Sequence, residues 1–377
     1  VRRFRLAILP ALALGVVLTI VTAGSASAAP SDGYATWTFA GTTTNYTGTV
    51  TLPTGFPAVT LTSTSRTPSA APISSGASSW ISAATPFGAV FGSSQNKPYL
   101  SLRPRADSAG NPSVTTFTFA TPTPVGGWGV TLGDVDAERV TISATDALGA
   151  AVPAASLGVS TYNYCTPPGA SCNNTFVPTA TPAGTTVSVE DPSCPAVTAR
   201  CNTDGESAWI NPTVAIKTLT VTSLWKQGFP TYQVWFATVA RAISGTLATT
   251  CAVTQPLSAQ LLDGSGAVVA TSAVTAGAFS FPLVAARSDY VVRADPATLP
   301  AGATQTTAAA DTSGADATGL AVTSSCPATP VTPVTPVTPS DPVVPTLAAT
   351  GVVAWPLAAV GAGLVVTGVV LRRRRRA

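Results

Sequence analysis

Short runs in which every second residue is apolar, and the alternate ones are mostly threonine, recur along this chain. That period of two fits a half-buried pleated strand and does not fit a helix. Tyr34–Phe39, Thr49–Leu52, Val114–Phe119, Val140–Ser143, Lys217–Val221 and Tyr232–Phe236 all carry it. Each run has an apolar face for a core and a hydroxyl face for water. Clusters of Gly, Pro, Ser and Asn separate the runs, as turns between strands require, and no long helical period appears between residues 30 and 240. The expected fold class is all-β, with a jelly-roll-like antiparallel β-sandwich head over residues 30–240 and Trp37, Trp128, Trp209 and Trp235 in its core.

The two ends read differently. Arg2, Arg3 and Arg5 precede an apolar stretch from Leu6 to Ala23, followed by the small residues Ser25–Ala29. Basic, apolar and small-residue regions in that order predict a signal peptide over 1–29, and hence secretion. Near the other end, Val352–Leu371 is an apolar stretch of about the length that spans a bilayer as a transmembrane helix, and Arg372–Arg376 would hold its C-terminal side inside. Directly before it stand Leu347, Ala348, Ala349, Thr350 and Gly351. Pentapeptide, apolar span and basic tail together resemble the LPxTG-type sorting signal of Gram-positive surface proteins, in the LAxTG variant associated with class E sortases of actinobacteria. The resemblance implies that residues 347–377 are a sorting signal, that sortase and then peptidoglycan are partners, and that the membrane is met only before sorting. A sortase cysteine would attack the Thr350 carbonyl and release Gly351 onward, leaving Thr350 as the attachment point to the cell wall. Ala348 stands where the commoner motif has proline.

Both basic clusters then belong to discarded segments. Of 19 Lys and Arg residues, three lie in the leader and five in the tail, which leaves 11 against 16 acidic residues, a net charge near −5. A mildly acidic mature protein offers no basic footprint for nucleic acid. Six cysteines in an exported chain predict disulfides and not redox or metal chemistry. Sequence-local pairing gives Cys165 with Cys172, Cys194 with Cys201, and Cys251 with Cys326, the rival being a crossed arrangement within the first four.

A second unit occupies 241–326. Its order of short motifs is Ser244-Gly245, then Asp263-Gly264-Ser265-Gly266, then Gly277-Ala278-Phe279-Ser280-Phe281, then Tyr290-Val291-Val292, then Leu299-Pro300-Ala301-Gly302. This order resembles the Cna-B-like, prealbumin-like repeat domains of bacterial surface proteins, which implies a smaller β-sandwich with Phe279, Phe281 and Tyr290 in its core. Asp263-Gly264 and Ser265-Gly266 are hairpin residues able to supply positive φ. Many Cna-B-like domains carry a Lys to Asn or Asp isopeptide crosslink, but this unit contains no lysine, so a Cys251 to Cys326 disulfide is the expected substitute. Residues 327–346 repeat proline, threonine and valine, which favours an extended polyproline II stalk of roughly 60 Å at ~3.1 Å per residue.

The search for chemistry is short because the chain has no histidine, which removes the common nucleophile–base pairs and most zinc sites. The acidic cluster Asp134, Asp136 and Glu138 offers oxygen ligands, with Asp134 and Asp136 sharing a face if extended, as a Ca²⁺ site would use. No other cofactor is expected. Trp80, Trp225 and Tyr232 are candidates for an exposed sugar platform. The leading expectation is a non-enzymatic surface protein whose head binds an extracellular ligand, glycan or protein, in adhesion. Two other classes remain in view: a surface glycan-processing enzyme with its carboxylates around Asp134–Glu138, and a purely structural envelope protein.

Overall fold

The computed structural model describes residues 31–66, 72–165, 174–201 and 203–327. The leader, the stalk beyond Pro327, the sorting pentapeptide and the apolar span lie outside the described residues, as does Cys172. Among the described residues no helix is long and apolar enough to cross a membrane.

The first fourteen strands are β1 (Thr36–Thr42), β2 (Asn45–Thr51), β3 (Val59–Ser63), β4 (Ile73–Ser74), β5 (Tyr99–Leu102), β6 (Ser113–Phe119), β7 (Trp128–Gly133), β8 (Glu138–Thr145), β9 (Ser160–Asn163), β10 (Thr179–Ala183), β11 (Thr186–Glu190), β12 (Glu206–Ile210), β13 (Thr218–Trp225) and β14 (Tyr232–Thr238). They form an 8-stranded sheet in the order β1-β2-β3-β6-β13-β8-β11-β10 and a 6-stranded sheet in the order β4-β5-β14-β7-β12-β9. Every pairing in both sheets is antiparallel.

The alternation read from the sequence sets which side chains meet. In β6, Ser113, Thr115, Phe117 and Phe119 are buried while Val114 and Thr118 face solvent. Phe117, Phe119, Leu219 and Ile142 from the larger sheet pack against Trp128, Val130, Val234 and Phe236 from the smaller one, making a single inter-sheet core. Its centre is aromatic: Trp128 stacks on Phe236 at 5.5 Å, and Phe117 meets Phe236 edge-on at 5.9 Å. Ring pairs of this geometry add to the area they bury.

A second apolar cluster lies on the other face of the smaller sheet. Helix α1 (Pro86–Phe91) joins it, with Phe87 and Phe91 edge-on to Trp209, while Tyr99 and Tyr164 pack on Trp235. Thr85 caps the helix by accepting from the Gly88 N–H at 3.0 Å, and Pro86 takes the first helical position, where its missing N–H costs nothing. Of the four tryptophans expected in the sandwich core, Trp128 is there and Trp37 packs at its margin, whereas Trp209 and Trp235 belong to this outer layer. Alternation distinguishes two faces of a strand. It does not say that both are covered.

The remaining strands are β15 (Ala240–Thr249), β16 (Ser258–Leu262), β17 (Val268–Ala273), β18 (Ala278–Ala285), β19 (Tyr290–Ala294), β20 (Thr304–Gln305), β21 (Thr307–Ala310) and β22 (Ala317–Ser325). They form two 4-stranded sheets, β18-β15-β22-β20 and β17-β16-β19-β21. Phe279, Phe281 and Tyr290 are buried between them, with Leu247, Leu261 and Val322. One pairing departs from the antiparallel expectation: β15 and β22, the first and last strands, run parallel. The rest of the unit supplies the long crossover that parallel pairing needs. In the β16–β17 turn, positive φ falls at Gly266 (82°) and not at Gly264. Gly264 serves close approach instead, since a Cβ there would meet Asp289 Oδ2 at 2.2 Å.

The two sandwiches dock through the segment after β2. Thr54 O accepts the Ala285 N–H at 2.8 Å, Arg287 Nη1 donates to Gly55 O at 3.1 Å, and the Ala286 N–H donates to Val239 O at 2.8 Å. Only Val239 separates β14 from β15. No flexible linker intervenes, and both sandwiches belong to one compact unit.

Two disulfides close within the described residues, Cys194–Cys201 and Cys251–Cys326. Cys165 is also disulfide-bonded, and no described cysteine is free. The expected Cys165–Cys172 pairing involves a residue outside the described set.

Candidate functional site

The interior of the larger sandwich changes character along its length. Inward positions of β3 run Val59, Leu61, Ser63; those of β6, read the same way, Phe119, Phe117, Thr115, Ser113; those of β13 Leu219, Val221, Ser223; those of β8 Ala144, Ile142, Val140, Glu138. Register aligns these endings. Ser63 pairs with Thr115, Ser113 with Ser223, and Ser223 with Val140. The facing sheet contributes Tyr232 and Glu206, each in step with apolar core residues of its own strand. One end of the sandwich is therefore lined with hydroxyls and carboxylates where the other end is aromatic.

This polar end is enclosed. Ser113, Thr115, Ser223, Glu138, Glu206 and Tyr232 are each 0% exposed. Part of it is a closed hydrogen-bond set: Ser63 Oγ lies 2.8 Å from Thr115 Oγ1, Ser65 Oγ accepts from the Arg103 N–H at 2.9 Å, and Arg103 Nε donates to Pro230 O at 3.1 Å. Ser113 bonds the Tyr232 hydroxyl and the Glu138 carboxylate lies by its own backbone N–H, while Ser223 Oγ and Arg103 Nη2 have no protein partner.

The acidic residues singled out in the sequence sit at this end but differ in state. Asp136 is buried, and its two oxygens accept from the Ala137 and Thr203 N–H groups. Asp134 is intermediate in exposure as a whole residue but its carboxyl is enclosed, and it holds a left-handed backbone at φ 62°. Burial pushes its carboxyl well above the usual carboxylate range, and Asp136, Asp204 and Glu206 push the same way. Burial does the same to Glu138, seconded by Asp136 and Asp134. A glycosidase pair must face its polymer, and Glu138 and Asp136 face the interior.

The expected sugar platform does not assemble. Tyr232 is fully buried, because its position continues the inward series Val234, Phe236. Trp80 and Trp225 are half-buried, the latter donating through Nε1 to Gly228 O at 3.0 Å. The exposed aromatic at this end is Phe229, 73% exposed, with the Arg103 guanidinium 6.0 Å from its ring centre. A second concavity, about 520 Å³, opens where the sandwiches meet and is lined by Tyr34, Pro53, Thr54, Phe281, Pro282 and Leu283 among others.

The hydroxyl ending of β6 and β13 was visible as Ser113-Val-Thr115 and Thr222-Ser223, but exposed strands carry the same residues, so only pairing reveals that these face inward. The sorting residues Leu347, Ala348, Ala349, Thr350 and Gly351 lie outside the described residues.

No protein-family model matches the sequence, and no curated protein matches it. Among solved structures, the chain is similar to the T6 backbone pilin of serotype M6 Streptococcus pyogenes, a modular three-domain protein, at 8% identity and a TM-score of 0.16. The match covers 69% of this chain and 60% of the pilin chain, so less than two thirds of the pilin's length is spanned. A likeness of that degree says nothing of role.

Proposed function

We propose that this chain is an exported surface protein that sortase joins to the cell wall through Thr350, and that its larger sandwich is displayed outward to bind an extracellular partner. The observation that carries the reading is the order Leu347–Gly351, apolar Val352–Leu371, Arg372–Arg376. The apolar span and arginines retain the chain at the membrane long enough for the Thr350–Gly351 peptide bond to be exchanged for a bond to a wall amine. The all-β architecture and the two closed disulfides support an oxidising, extracellular setting. The absence of a linker between the sandwiches supports a display role, since the head is held at a fixed angle to the unit that carries it.

Thr350→Ala tests the anchoring. After boiling in detergent, the unaltered protein is expected in the fraction released only by a wall hydrolase, and the variant in the membrane and the medium. Retention of the variant in the wall-released fraction sinks the reading. For the head, the mature chain is screened against glycans and matrix proteins. Saturable binding supports adhesion, whereas turnover of a glycan that disappears in Asp134→Asn identifies an enzyme instead.

A further inference from the structure

Two apolar features at opposite ends of the head stand open to solvent. The first is Phe229, in the loop between β13 and β14, where Gly228 takes a left-handed φ of 61° and the phenyl ring projects, 73% exposed. The ring is braced on one side. The Arg103 guanidinium lies 6.0 Å from its centre and is itself held by donating from Nε to Pro230 O at 3.1 Å. A ring fixed in this way loses little freedom on binding.

The second is the concavity of about 520 Å³ where the sandwiches meet. A bulge in β18 gives it one apolar wall. Phe279 and Phe281 are buried, and strict alternation would send Leu283 inward after them. Instead Phe281 pairs with Ile243 and Val284 with Arg241, so β18 has one residue more than β15 over this stretch. Val284 takes the inward place, and Leu283 turns outward, 40% exposed, beside exposed Pro282. Bulges re-aim side chains in this way. Leu52 and Pro53 of the larger sandwich line the same hollow.

Their positions fix how the two can meet. β14 runs from Tyr232 at the polar end to Thr238, one residue short of β15, so tip and concavity are separated by about 20 Å of strand at ~3.3 Å per residue. One copy cannot close its tip on its own hollow. The tip is convex, so it needs a hollow in its partner, and a second copy supplies one with an apolar lining and the volume usual for a binding pocket. Charge agrees. Arg105, exposed and two residues beyond Arg103, has no carboxylate within ion-pair distance among the described side chains. The concavity carries Asp32, whose side chain is 65% exposed and reaches Lys97 at 3.6 Å.

We propose that the extracellular partner of the head is a second copy of this chain, with the Phe229 tip of each inserted in the sandwich-junction concavity of the other. This rests on the reading that the head is displayed outward. Two chains anchored by their C-terminal sides to facing surfaces approach head first and antiparallel. A two-fold axis between them makes both contacts at once, a closed pair that does not grow into fibres. Each contact has a single aromatic anchor, so one pair is weak in solution, and many pairs between two surfaces add by avidity.

The test follows the mature chain by sedimentation velocity from about 1 μM to about 1 mM. A monomer–dimer equilibrium with no larger species is expected. Phe229→Ser and Leu283→Asp should each weaken dimerisation at least about tenfold, with the thermal midpoint unchanged because both side chains are exposed. Leu283→Ser takes the place of the aspartate variant where that one fails to fold. An equal mixture of the tip and groove variants should dimerise more tightly than either variant alone, since the mixed pair keeps one intact tip facing one intact concavity. The proposal is overturned if the unaltered chain is monomeric at about 1 mM, if either variant dimerises as tightly as the original, or if the mixture gains nothing. A monomeric chain that still binds a glycan or matrix protein overturns it and leaves outward display standing. Dimerisation in solution does not involve Thr350, so its failure is read apart from that of wall anchoring.

Discussion

Gly55 is where the docking of the two sandwiches is most sensitive to a single atom. Its backbone is left-handed at φ +88°, and a Cβ there would stand 1.9 Å from Tyr290 Oη and 2.8 Å from Cζ. Tyr290 has nowhere to go: it is 1% exposed, and its hydroxyl donates to Ala285 O at 3.0 Å. Gly55→Ala therefore combines two costs. The left-handed backbone with a Cβ costs about 1–2 kcal/mol, and forcing a methyl into a filled space about 1–3 kcal/mol more. Gly126→Ala isolates the first, because Gly126 has φ +78° with nothing within 4 Å. Equilibrium denaturation should show Gly126→Ala losing about 1–2 kcal/mol and Gly55→Ala about 2–5 kcal/mol. Calorimetry of Gly55→Ala should also show one joint transition splitting towards two as the sandwiches uncouple. Removing the hydroxyl with Tyr290→Phe should cut the cost of Gly55→Ala, a coupling that a double-mutant cycle reads directly. Equal losses at Gly55 and Gly126, with no coupling to Tyr290, would refute the reasoning.

Two further outcomes follow from the smaller sandwich. Replacing both Cys251 and Cys326 with serine opens a loop with a sequence separation of 75, and should destabilise that unit by about 4–5 kcal/mol on the chain-entropy relation, measured as a fall in its denaturation midpoint. Asp289 has its carboxyl held below the usual range chiefly by its hydrogen bonds to Arg287. A depressed carboxyl stabilises above its unfolded pKa, and that contribution disappears as pH falls through the folded value. Asp289→Asn should therefore flatten the acid limb of the stability curve below about pH 4, and at neutral pH cost less than about 1 kcal/mol, because the pair is partly exposed. An unchanged acid limb in the variant rejects the assignment.

Strands were legible wherever threonine alternated with a bulky apolar residue: Val114–Phe119 and Tyr232–Phe236 fall within β6 and β14 almost residue for residue. The alternation works because one face is wet. It carries less information where both faces are covered, so Trp209 and Trp235 were assigned to the inter-sheet core although they pack in the outer layer, Trp209 against α1 and Trp235 against Tyr99 and Tyr164. That helix is six residues long, too short to show a period, and only Thr85-Pro86 marks its start. The polar end was hidden for a different reason. Ser113, Ser223 and Glu138 lie far apart in sequence and become one layer only through the register of β6, β13 and β8. Gly264 and Gly266 look alike in sequence, yet one serves close approach and the other supplies positive φ.

The parallel pairing of β15 and β22 gives the Cys251–Cys326 disulfide a mechanical meaning. The head joins the smaller sandwich at Ala240, the start of β15, and the chain leaves after Cys326, at the end of β22. A pull between the head and the C-terminal side enters along β15, reaches Cys251 and crosses the disulfide straight to Cys326. Tension bypasses everything between those two cysteines, including seven of the eight strands and the core they enclose. With the disulfide closed, the smaller sandwich behaves as a short, stiff tie. Opened, it would pay out the intervening chain, about 260 Å when fully extended at ~3.5 Å per residue.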